Sequence, residues 1–303
     1  MAFSPSPSLR TIPRPSRTIT RRGLLKAGAL AAGGLALYSA EVARHWVDVT
    51  HHDVRLKGLP EAFDGMRVVQ LSDIHLDEFS EPYFIREVVH RINSMQPDMV
   101  LVTGDYISES YVTPKNFAIG AAWQCANILK ELTCPHVYTI LGNHDVGVST
   151  RQVSTALRDN GIPVLINTYV PIERDGARFW LAGLQDPVVG IPEPDLAVPE
   201  KIRNIPNEPV LLMCHAPDYV DTLLKHPAGQ AVDFMLSGHT HGGQVRFPFV
   251  GALELPVMGR KYVEGLFELG HLQLYVNRGI GTIGLPFRLN CPPEISVFTL
   301  RSA

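Results

Sequence analysis

The 303-residue chain has only four cysteines, Cys125, Cys134, Cys214 and Cys291. None stands in a Cys-x-x-Cys pair or a dense framework, which excludes a zinc knuckle and a disulfide-built scaffold. Cys125 and Cys134 have the spacing for one disulfide in an exported protein, but isolated buried thiols are the preferred reading. Residues 1–40 contain no Asp or Glu, yet they carry Arg10, Arg14, Arg17, Arg21, Arg22 and Lys26. Residues 41–303 then hold 21 Lys and Arg against 30 Asp and Glu, a formal −9 beneath the overall −3. A body without a basic excess is not a general nucleic-acid binder, so no specific nucleic-acid binding is expected. No internal repeat and no interior low-complexity linker interrupt the chain. What is present is ordinary globular material, 45% hydrophobic and 19% charged, enough for a sizeable core.

Residues 1–19 are rich in Ser, Pro and Arg and too polar to fold alone. "TRRGLLKAGALAAGGLALYSA" follows, with Arg21-Arg22 before a small residue, two leucines and Lys26. This resembles a twin-arginine export signal in which Leu24 replaces the usual Phe. The uncharged stretch 27–40 suits a signal better than a spanning helix, which needs about 20 residues. Tyr38 fits a small-x-small cleavage site poorly, so retention as an anchor through residues 24–40 is an alternative to removal. The expected organisation is a signal or anchor segment, 1–40, and one domain, 41–303. The resemblance implies the twin-arginine machinery as partner and an outward-facing location: periplasmic, cell-wall or membrane-anchored.

In the body, "MRVVQLSD" (66–73), "DMVLVTGD" (98–105) and "HVYTILGNHD" (136–145) read as buried strands ending in polar residues. Helical patterns occupy 82–95, 115–132 and 150–161, the last stopped by a glycine. Strand, polar turn and helix, three times over, give an α/β fold with parallel strands, whose functional residues gather beyond the carboxyl ends. "RFWLAGLQD", "EPVLLMCHAPD" and "VDFMLSGHTHGGQV" repeat the strand-end pattern, and the last strands have antiparallel character. Two sheets packed face to face with helices outside fit this order.

Just past these strands sit Asp73 and His75, Asp105, Asn143 and His144, His215, and His239 and His241. One histidine after a strand is ordinary. Five such events joined to two Asp and one Asn are a metal-ligand pattern. Mixed imidazole and carboxylate donors suit Mn, Fe, Zn, Co or Ni. Seven donors exceed one tetrahedral zinc and match two divalent ions.

D73-x-H75, G104-D105, G142-N143-H144-D145, H215 and G238-H239-x-H241 together resemble the five-block signature of calcineurin-like metallophosphoesterases. The likeness runs from about residue 48 to 300, and "GHTHGGQ" with "NRGIG" resembles the exported or membrane-associated bacterial branch. It implies a four-layer αββα sandwich with two mixed β-sheets. It also implies one metal on Asp73, His75 and His241, a second on Asn143, His215 and His239, and Asp105 as bridge. A metal-bridging hydroxide would attack phosphorus, with His144 as catalytic general acid. Phosphodiesters or small phosphomonoesters are the implied substrates. A lipid-linked pyrophosphate, such as a nucleotide-diphosphate acylated sugar, is the alternative, and a non-enzymatic metal-stabilised binding protein is a third.

The chain departs from the protein-phosphatase branch, because "GDYISES" lacks the Asp-Arg-Gly that orients the catalytic histidine there. Asp145 is a candidate orienting group, with turn capping as its competing role. Arg278 and Arg288 are candidates for phosphate contact, set against surface solvation. Asp186 is a candidate support for a metal ligand, set against a turn residue. His51 and His52 read as surface, and Cys214 as a core thiol on the strand face opposite His215.

Overall fold

A computed structural model describes residues 20–76, 79–109, 114–203 and 205–303. The polar residues 1–19, with Arg10, Arg14 and Arg17, lie outside the described residues. One sheet holds, in spatial order, β1 (Asp48–Leu56), β13 (Glu294–Ser302), β2 (Arg67–Leu71), β3 (Met99–Val102) and β4 (His136–Thr139). The other holds β11 (Gly265–Leu269), β12 (Leu272–Val276), β8 (Phe234–Ser237), β7 (Val210–Met213), β6 (Ala177–Gly183) and β5 (Thr168–Arg174). Both sheets are mixed. β13 is antiparallel to β2 and parallel to β1, while β2, β3 and β4 run parallel. In the second sheet β6, β7, β8 and β12 run parallel, flanked by antiparallel β5 and β11.

Period-two alternation divides the apolar side chains between layers. Val69, Leu71, Val100 and Val102 face helices α2 (Pro82–Met95), α3 (Lys115–Leu129) and α4 (Asn143–Asp159). Their neighbours Val68, Met99 and Leu101 point the other way, onto Leu211, Met213, Phe234 and Leu236 of the second sheet. Val210, Leu212 and Met235 turn outward to Val220 and Leu223, in a layer of short helices. Three apolar layers thus separate four layers of structure, the αββα sandwich expected.

Several local expectations change. The last strands are not simply antiparallel: β12 runs parallel to β8, and β13 crosses into the first sheet. The helix expected over 150–161 begins at Asn143, inside the motif, and is interrupted at extended Ser149. β5 carries Pro171 and lies at a sheet edge, where a missing N–H costs no ladder bond. His52 is not a surface residue. It is half-buried, its ring 4.7 Å from that of Tyr275 and 5.7 Å from that of Phe298. Cys214 is buried in the outer layer, and all four cysteines are free thiols.

Helix α1 (Arg21–Leu37) begins with Thr20 Oγ1 accepting the Gly23 N–H, and none of its residues is buried. A π-helical turn, Tyr38–Ala43, extends it into the body, where Ser39 and Ala43 become buried. The continuous helix Arg21–Ala43 is long and apolar enough to cross a membrane.

Candidate metal centre

The parallel strands end on one side of the molecule, and the motif residues leave them there. Asp73, His75, Asp105, His239 and His241 all have φ between 48° and 73°. Such left-handed backbone costs a non-glycine residue about 1–3 kcal/mol, and it turns these side chains sharply into a common space. The backbone also comes very close: a Cβ on Gly238 would overlap Ser72 Oγ and Asp73 Oδ2, and one on Gly142 would overlap Asp105 Oδ1. Beneath, Gln70 Nε2 donates to Thr103 Oγ1 (3.0 Å) and to Ser237 O (2.9 Å), joining the two sheets under the site.

Two groups of candidate metal ligands result: Asp73, His75 and His241, and Asp105, His215 and His239. All six residues are buried. In the first, His75 Nε2 and His241 Nε2 face each other at 3.1 Å, with Asp73 Oδ1 3.5 Å from the latter. In the second, His215 Nε2 lies 3.0 Å from Asp105 Oδ2, and the His239 ring is 5.0 Å from the His215 ring. The Asp105 carboxylate also lies 3.7 Å from His75 Nε2, between the groups. Asn143 Oδ1 is buried there without a hydrogen-bond partner among the described residues. A buried orphan carbonyl is costly in a protein interior and natural beside a cation.

Partners behind the rings set their tautomers. His215 Nδ1–H donates to Thr103 O at 2.7 Å, which turns Nε2 toward Asp105. His239 is reversed: Nε2–H donates to Val257 O at 2.8 Å, so Nδ1 is its lone-pair nitrogen. His75 Nδ1 pairs with Ser108 Oγ at 2.9 Å. Burial pushes His239 and His241 down to about 4, and holds His75 well below its ordinary value, so all three are neutral donors near pH 7. Burial opposes charge on His215 too, but Asp105, Asp73 and Asp186 push it up to about 10. Burial resists ionisation of Asp105, yet His215, His144 and His75 hold it well below the usual carboxylate range.

His144 is half-buried, its ring 5.1 Å from that of His75. Its Nδ1 accepts the Glu109 N–H at 2.8 Å, which places the ring hydrogen on Nε2. Asp145 does not touch that ring. Its carboxylate accepts N–H groups of Asp105 (2.8 Å), Tyr106 (3.0 Å) and Gly142 (3.0 Å), bracing the two motif turns. Asp186 accepts from Val188 and Val189 N–H, both 2.9 Å, capping its own turn. Arg278 is held by Glu294 (3.1 Å) and Asp48 (2.9 Å). Arg288 is buried, donating to the carbonyls of Gly281, Arg278, Gly279 and Cys291, with His241 Nδ1 3.5 Å away. Neither arginine lines the cleft.

The cleft over the ligands has a volume of about 440 Å³. Asp105, Asn143, His144, His239 and His241 line it with polar groups, and Val245, Leu253, Pro256, Ile283 and Leu285 make its apolar wall. Backbone groups of Thr103, Glu109 and Val257 orient the rings, and no sequence motif marks them.

Clustered imidazoles and carboxylates at the strand ends of a four-layer sandwich define a metal-dependent phosphoester hydrolase. The family model for calcineurin-like phosphoesterase matches residues 66–243, and the chain belongs to that family. It is 34% identical over 283 residues to an uncharacterized metallophosphoesterase, YkuE, of Bacillus subtilis, covering 92% of this chain and 94% of the relative. It is 31% identical over 289 residues to the phosphodiesterase YaeI of Escherichia coli, covering 93% and 99%. A transmembrane protein with a metallophosphoesterase domain from Danio rerio is 29% identical over 280 residues, 89% of this chain and 61% of that protein.

Proposed function

We propose that the chain is an exported phosphodiesterase. Asp73, His75 and His241 would hold one divalent cation, Asn143, His215 and His239 a second, with Asp105 placed between the two groups. Mixed imidazole and carboxylate donors fit Mn, Fe, Zn, Co or Ni. Two such cations, when bound, supply a polarised water and charge that offsets phosphate oxygens. The chain's own groups do the rest. Asp145 fixes the Asp105 and Asn143 turns through its accepted N–H bonds. His144 presents its Nε2–H to the leaving oxygen. Complete proton transfer requires the ring to enter as imidazolium, which gives up the Glu109 bond.

One observation favours a diester. Among the described residues no Lys or Arg lines the cleft, and Arg278 and Arg288 are committed elsewhere. A monoester dianion calls for such a cation; a diester monoanion needs instead a place for its second organic group, which the apolar wall provides. The relative YaeI is named a phosphodiesterase. The test is a paired assay with bis(4-nitrophenyl) phosphate and 4-nitrophenyl phosphate under Mn, Fe, Zn, Co, Ni and Mg. The diester should win by about tenfold or more in kcat/KM; preference for the monoester sinks the diester reading. The apolar wall also suits a lipid-linked pyrophosphate, the second reading. We further propose that residues 1–40 form a twin-arginine signal or anchor segment and 41–303 the catalytic domain.

A further inference from the structure

The cleft opens beside an exposed apolar rim. β9 (Arg246–Phe247) and β10 (Gly251–Ala252) form a short hairpin whose tip is Pro248, Phe249 and Val250. Phe249 is fully exposed and Val250 is 71% exposed. Phe249 also has φ 67°, a strained conformation for a bulky residue. Leu253, Val257 and Leu285 continue the rim, each more than half exposed. Glu254 is the one acid within 246–257, and Arg246 is paired with Glu264. A contiguous apolar projection of this kind on a water-facing surface marks a contact site.

Its connection to α1 says what the contact is. The loop 283–290 is bonded on one side to the hairpin base: Gln244 Nε2 donates to Ile283 O and Leu285 O, both 3.0 Å, and Arg246 N to Leu289 O at 2.9 Å. On the other side, Arg288 N donates to Ser39 O at 3.1 Å, at the foot of α1. One loop therefore links the membrane-length helix to the hairpin. We infer that the rim formed by Phe249, Val250 and their neighbours rests in the headgroup and upper acyl layer of the bilayer that α1 enters, so that the cleft takes amphiphilic phosphoesters from the membrane. Aromatic and aliphatic tips flanked by few charges insert in this way. The apolar wall then continues the rim inward as a path for an acyl chain, with the phosphate at the metal ligands. The substrate part of this inference rests on the phosphoesterase reading; the docking part does not.

The test uses the full chain in vesicles of phosphatidylcholine and phosphatidylglycerol. In Phe249→Trp, the added fluorescence should be blue-shifted and quenched by brominated acyl chains beyond the wild-type signal. Emission of a water-exposed Trp, indifferent to bromolipid, overturns the docking. Shielding that persists in detergent-free protein without vesicles assigns the rim to a second copy and also overturns it. The paired variant Phe249→Asp with Val250→Asp should lose about tenfold or more on a phosphodiester lipid embedded in the vesicles while retaining wild-type rate on soluble bis(4-nitrophenyl) phosphate. Equal rates on the embedded lipid contradict the inference, as does equal loss on both substrates. Absence of hydrolysis in wild type on either substrate indicts the phosphoesterase reading and leaves the quenching result to judge the docking.

Discussion

A single backbone N–H, that of Glu109, decides which nitrogen of His144 carries a hydrogen. This is why the orienting partner was not legible in the sequence: Asp145, the adjacent residue, braces the Asp105 and Gly142 turns instead. The gathering of Asp73, His75, Asp105, His215, His239 and His241, by contrast, was legible, because each lies a short way past the end of a strand. Roles divide accordingly. His144→Ala should retain both metals and lose about 10²–10⁴ in turnover on an alkyl diester. The loss should shrink on a nitrophenyl ester, whose leaving oxygen needs little help. His241→Ala should lose metal and fail on both. Elemental analysis and paired rates decide; metal loss in His144→Ala, or equal rate loss on both esters, removes His144 from the leaving-group step.

At the scale of elements, the buried parallel strands showed as continuous apolar runs, and α2 showed as one amphipathic stripe. Where tertiary context dominates, the pattern fails. β5 contains Pro171, tolerated because the strand is an edge. His52 looked exposed until β1 paired with β13, which sets Phe298 beside its ring, and the second sheet brought Tyr275 against it. α4 starts within the GNHD motif, so the polar residues that look like a loop are its first turn. Helix α1 bears its own prediction. Arg21→Lys with Arg22→Lys should hold the protein in the cytoplasm, since twin-arginine receptors read the pair. Cell fractionation reports this, and undiminished export of the double variant means another route.

For the whole molecule, two mixed sheets packed face to face are a device for bringing ligands from distant segments to one line. Asp73 and Asp105 come from the first sheet, His215, His239 and His241 from the second, and Gln70 ties the sheets beneath them. The order of motifs made the sandwich legible; the crossing of β13 into the first sheet was not, because its run of apolar residues carries no address. The account's central claim is that this junction is a dinuclear centre bridged by Asp105. It is tested most directly by stripping the full chain with a chelator and titrating Mn(II) while following both bound metal and hydrolysis of bis(4-nitrophenyl) phosphate, in wild type and in Asp105→Asn. The account predicts two ions per wild-type chain, full activity only as the second binds, and loss of most metal and nearly all activity in Asp105→Asn. Activity in the metal-free wild type, or full two-ion occupancy in Asp105→Asn, would contradict it.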